Sequence, residues 1–163
     1  MERLANVGFQ EKLGSMLDKT DRIGSIARAL AADVEEQAAA HAVRAARLAK
    51  ADLVTGAVVE FTSQQGVMGG YYAEAAGEDP AVALAVSQHY RPRFAGDALP
   101  DELPGRIVAM ADKLDTVCGI FAIGEAPTGS SDPFALRRGA IGIINILRAE
   151  PELSLKGAIS AAL

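Results

Sequence analysis

Asp52, His89 and Asp112 are the candidate metal-ligating residues of this sequence, and three basic sets have side chains suited to phosphate. A metal centre that makes hydroxide needs several fixed ligands at once, and a chain with only His41 and His89 excludes any site built on three imidazoles. His41 lies in an alanine-rich stretch with no acidic or cysteine partner at ligand spacing and is incidental. Asp52 and Asp112 also have a plainer reading, as partly buried carboxylates that accept hydrogen bonds from Lys50, Lys113 or the backbone. His89 has one too, as a helix-end residue beside the last carbonyls. No phosphate-binding loop, cysteine metal cluster or nucleophile elbow is present, so no catalytic residue is assigned.

The basic sets are Arg91 with Arg93, Arg137 with Arg138, and Arg44, Arg47 and Lys50 at three-residue spacing. Arginine and lysine at exposed positions are what an RNA backbone requires. Each set has the competing role of an ion pair with one of the 21 acidic residues. The adjacency of Arg137 and Arg138 suggests that one faces the core edge and the other faces outward. A formal charge of −5 and a pI near 5.0 exclude a chain whose whole surface clamps nucleic acid, leaving local patches. The single cysteine, Cys118, cannot form an internal disulfide and sits in an apolar run as a small hydrophobe.

The elements that must position these groups are helices. Half of the 163 residues are hydrophobic and only 5% are aromatic, which favours an all-α fold with a sizeable core. Helical spacing predicts segments over 4–17 and 21–32, then a buried central helix capped by Asp33 and running to about Val59. After a break at 62–66, Val67, Met68, Tyr71 and Tyr72 resume the period, with Gly69-Gly70 suited to close helix contact. Asp79-Pro80 starts a helix to about Tyr90, 91–105 reads as a loop, and 106–123 is strongly periodic. The stretch 124–132 is the best linker; Asp132-Pro133 then starts a helix to about Ala149, and Ser154 caps a short last helix with little chain left to bury it. No run is long and apolar enough for a membrane span, nothing resembles a signal peptide, and a cytoplasmic location follows. Glu2-Arg3-Leu4 enters its pattern at once, as though cut from a longer chain.

The order of Leu48–Leu53, Gln88-His89-Tyr90, Gly96–Pro100 and Ala111–Asp115 resembles the HD superfamily of helical metal-dependent phosphohydrolases. In that layout the His-Asp pair position reads Ala51-Asp52 and the earlier histidine falls near Lys19 or Thr20, leaving Asp52, His89 and Asp112 as degenerate positions. The resemblance implies a multi-helix bundle like a degenerate HD domain that binds no metal.

More specific is the wording of Phe9–Lys19, Lys50-Ala51-Asp52-Leu53-Val54-Thr55, Gln65-Gly66-Val67-Met68-Gly69, His89-Tyr90-Arg91-Pro92-Arg93, Ala111–Thr116 and Pro127–Arg138. These pieces, collinear over most of the chain, resemble bacterial glycyl-tRNA synthetase β subunits. The sequence departs from that family at Thr62-Ser63-Gln64, where a Pro-Glu-Leu type turn is common. The resemblance implies an HD-like domain over 1–123, the linker, and C-terminal helices over 133–163 leading toward an anticodon-binding region. It further implies a segment with no independent catalysis that contacts tRNA and/or scaffolds glycyl-tRNA aminoacylation, with an α subunit in an α2β2 complex and tRNA-Gly as partners. ATP and Mg are expected on the α subunit, and no cofactor is expected in this segment. The alternatives are an HD-type phosphohydrolase and a pure subunit-interaction module.

Overall fold

The computed structural model describes residues 2–163 and is an all-α bundle with one two-stranded ribbon. Its helices are α1 (Met16–Leu30), α2 (Glu36–Leu48), α3 (Gly56–Glu60), α4 (Val67–Ala75), α5 (Pro80–Gln88), α6 (Leu103–Ala122), α7 (Leu136–Ala149) and α8 (Leu155–Ala162). The centre is α6, which starts three residues earlier than its periodicity suggests because Pro104 suits a first turn. It packs against α1, α2, α5, α7 and α8, and buries Ile107, Val108, Met110, Ala111 and Leu114. Around it lie Ile23, Ile26 and Leu30 of α1, Ala42, Ala45 and Ala46 of α2, Val82 and Val86 of α5, and Ile143 and Ile146 of α7. Small alanines on α2 let it approach the hub closely, and the branched residues fill the remaining space.

The N-terminal helix expected over 4–17 is instead a 3-10 turn, Glu2–Asn6, followed by the antiparallel strands β1 (Gly8–Gln10) and β2 (Gly14–Ser15). Local polar groups win here. The Gln10 side-chain oxygen accepts from the backbone N–H of Lys12 at 2.6 Å and Leu13 at 3.2 Å, closing a turn that a helix would open. Gly14 completes it at φ +81°, where a side chain is disfavoured. The true start of α1 is a capping box: Ser15 Oγ accepts from the Asp18 N–H and Asp18 accepts from the Ser15 N–H at 2.7 Å.

The expected central helix to Val59 is also interrupted. Its cap is Glu35, whose carboxylate accepts from the N–H groups of Gln37 and Ala38, and α2 ends at Leu48. A 3-10 turn, Ala51–Val54, follows; Thr55 adopts an extended backbone and its hydroxyl donates to the Asp52 carbonyl at 2.7 Å. Threonine thereby ends one helix and caps α3.

Asp79 caps α5 as expected, accepting from the Ala81 N–H at 2.8 Å. Entry into α7 is later than Pro133 because Ala135 is left-handed at φ 54°. The Asp132 carboxylate reaches over it to the N–H groups of Leu136 and Arg137. The last helix, expected to find little to cover, lies on α1 and α6 with Ala158 fully buried. Among the described residues, no helix is long and apolar enough to cross a membrane.

Candidate functional site

The ends of α2 and α5 and the middle of α1 and α6 bring a set of charges into the core. From α6, Asp112 and Asp115 point toward α1, where Lys19 Nζ lies 2.8 Å from Asp115 and 3.1 Å from Asp112. Arg22 Nε, one turn along α1, donates to Asp115 at 2.6 Å. Lys50, just past the end of α2, is 1% exposed; its Nζ donates to Asp112 Oδ2 at 2.7 Å and lies 2.9 Å from His89 Nε2. It also sits 3.8 Å from the centre of the Tyr90 ring, a cation–π contact in a water-poor setting.

His89 is the residue that follows α5, and its Nδ1 is 2.6 Å from the Val86 carbonyl. A carbonyl only accepts, so Nδ1 carries the proton and Nε2 is the acceptor for Lys50. Burial, and then the neighbouring Lys50 charge, hold His89 well below the usual imidazole range, so it is neutral at pH 7. Burial alone would raise the Asp112 carboxyl; Lys50 and Lys19 outweigh it and hold the group well below the ordinary value. Lys50 is pushed down by burial and held up by Asp112. The three cations Lys19, Arg22 and Lys50 thus face two carboxylates, and the remaining positive charge is shared across the cluster.

Asp52 does not join them. Its Oδ2 accepts from the N–H groups of Gly66 at 2.6 Å and Gly69 at 3.0 Å, pinning the start of α4 to the turn after α2. Burial raises its carboxyl, opposed by those two N–H groups.

The donor set does not fit a metal ion. Asp52 is turned toward backbone amides, and the space between Asp112 and His89 is taken by the Lys50 ammonium. Among the described residues no three His, Cys, Asp or Glu side chains converge at ligand distance. The Lys19 and Lys50 ammonium groups already face the Asp112 carboxylate, at 3.1 and 2.7 Å. The phosphohydrolase alternative has no geometry behind it.

The basic sets separate. Lys50 cannot reach a phosphate, because the chain turns inward after Leu48 and its charge faces Asp112. Arg44 pairs with Glu78, its Nε 3.0 Å from the carboxylate, whereas Arg47 is exposed. Half-buried Arg91 lies 3.8 Å from Asp101. Arg137 and Arg138 are both exposed, correcting the expectation that one would face the core edge, since the inward face of α7 is made by Leu136, Gly142, Ile143 and Ile146. Arg137 donates to the Thr128 carbonyl at 2.8 Å.

Arg93 and Arg138, far apart in sequence, line one cavity of about 300 Å³, and Lys113 lines it too. Sequence spacing assigns Lys113 only as a hydrogen-bond donor to the carboxylates. Its Nζ donates instead to the Tyr90 and Arg91 carbonyls at 3.3 and 2.9 Å, and burial lowers it to about 8. None of these three cations has a carboxylate within 4.0 Å among the described residues. The convergence requires the helix packing of α5, α6 and α7, which no local motif announces.

Comparison with known proteins agrees with the wording of the motifs. The family model described as glycyl-tRNA synthetase beta subunit matches residues 1–163. The chain is 52% identical over 163 residues to the glycine–tRNA ligase beta subunit of Phenylobacterium zucineum, covering 98% of this chain and 24% of that protein. It is 53% identical over 148 residues to that of Myxococcus xanthus, covering 90% and 21%. It is 53% identical over 151 residues to that of Haemophilus influenzae, again 90% and 21%. The chain therefore spans roughly a quarter or less of the length of these relatives. With motifs, fold and similarity in agreement along its whole length, the chain belongs to the glycyl-tRNA synthetase beta subunit family.

Proposed function

We propose that this chain is a non-catalytic domain of a glycine–tRNA ligase β subunit, and that it touches tRNA-Gly through the face bearing Arg93, Lys113 and Arg138. The observation that supports this is the convergence of three cations without carboxylate partners on one cavity of a chain whose net charge is −5. A local basic face on an acidic protein directs an RNA backbone to one place. Arg137 extends the face along the first turn of α7, and Arg91 borders it from the loop after α5. In this reading glycine activation, ATP and Mg²⁺ belong to the α subunit of an α2β2 enzyme in the cytoplasm. The buried Lys50–Asp112–His89 cluster has a structural task, holding the ends of α2 and α5 against α6.

In the assembled enzyme, Arg93→Ala with Arg138→Ala is expected to raise KM for tRNA-Gly about tenfold and leave kcat within about twofold, the signature of lost uniform binding. A fall in kcat at unchanged KM would contradict it. Pure subunit contact is the second reading, favoured by exposed Val67 and Tyr71, which border a groove with Ala83 and Leu84 between α4 and α5. That reading leaves KM for tRNA unchanged in the double variant.

A further inference from the structure

The cavity has two unlike sides. Arg93, Lys113 and Arg138 present positive charge, while Pro92, Val117 and Phe134 present apolar surface. Asp112 also lines it, yet that carboxylate lies 2.7 Å from Lys50 and 3.1 Å from Lys19, so it sets no negative field of its own. A surface that only tracks a duplex backbone needs neither a recess nor an apolar wall, because duplex phosphates stand outside stacked bases. A volume of about 300 Å³ is at the small end of organic-ligand sites, enough for one nucleotide unit and too little for paired strands.

We propose that this cavity receives a single nucleotide unit, its phosphate held by Arg93, Arg138 and Lys113 and its base laid against Pro92, Val117 and Phe134. Where the nucleotide is an unpaired residue of an RNA chain, the inference rests on the tRNA-contact reading. A free mononucleotide carries the same phosphate-plus-base chemistry, and competition separates the two sources.

The probes are AMP, adenosine and inorganic phosphate, titrated by calorimetry into the full chain and into two variants. Arg138→Ala removes a cation. Gly139→Leu keeps every cation and fills the recess, since a Cβ at Gly139 lies only 3.4 Å from Val117, and it favours the α7 helix. AMP is expected to bind at least about tenfold more tightly than adenosine or phosphate, and both variants are expected to weaken it about tenfold or more. Competition between AMP and tRNA-Gly would identify the source as an RNA nucleotide, and AMP binding without competition would identify it as a free nucleotide. AMP that fails to bind, or binds equally well to Gly139→Leu, would overturn the inference. Loss of tRNA binding in Arg93→Ala/Arg138→Ala alongside that failure would leave the tRNA reading standing, which keeps the two failures distinct.

Discussion

Asp112→Ala is expected to cost about 3–5 kcal/mol of folding stability, because it leaves the buried Lys50 ammonium without a carboxylate and Lys19 with Asp115 alone. Lys50 and Lys19 are 1% and 4% exposed and both lie within 3.1 Å of that carboxylate. Asp115 is then left to serve both Lys19 and Arg22. A domain of ordinary stability has only about 5–15 kcal/mol in total, so the variant should sit near the edge of folding. Lys50→Met is expected to cost less, about 1–3 kcal/mol, since Asp112 retains Lys19 and the apolar stem still fills the space. Urea denaturation of the three proteins checks the order. Equal midpoints for Asp112→Ala and the parent chain would show that the cluster is solvated and that its charges do not organise the core.

Gly70→Leu is expected to cost about 3 kcal/mol through overpacking between α4 and α5. A Cβ at Gly70 would stand 2.5 Å from the Ser87 Cβ and 3.0 Å from the Ala83 carbonyl oxygen, and a backbone carbonyl in a helix cannot swing aside. The two helices must part, and the Gly66 and Gly69 N–H groups at the start of α4 would be drawn from Asp52. Gly24→Ala is the internal contrast. A Cβ there meets nothing within 4 Å, so the change is expected to be neutral or to stabilise α1 by up to about 1 kcal/mol. Thermal unfolding of both variants checks the pair, and a neutral Gly70→Leu would mean that α4 is not held against α5 as described.

Much of the bundle is readable from periodicity because α1 and α7 each bury one apolar face and the hub α6 is apolar along most of its length. The segments that periodicity misreads share a cause. At 8–15 and 49–55, the Gln10 and Thr55 side chains bond to nearby backbone and outcompete helical pairing, an effect that apolar spacing does not register. The plain reading of Asp112 as a carboxylate satisfied by lysine is sound, with Lys50 as its partner and Lys19 unanticipated. Grouping Lys50 with Arg44 and Arg47 relies on spacing that assumes an unbroken helix; the end of α2 at Leu48 turns it inward. The shared cavity of Arg93 and Arg138 depends on how α7 docks on α6 beside the loop after α5. That is a tertiary fact with no local signal.

The central claim is that RNA meets this domain at Arg93 and Arg138, and the most direct measurement is the salt dependence of its binding to tRNA-Gly, with and without those side chains. If both side chains meet phosphates, removing them should weaken binding at every salt concentration and flatten the slope of log K against log salt by about two. A double variant that binds with the parent's affinity and slope would contradict the claim and move the RNA contact to another face.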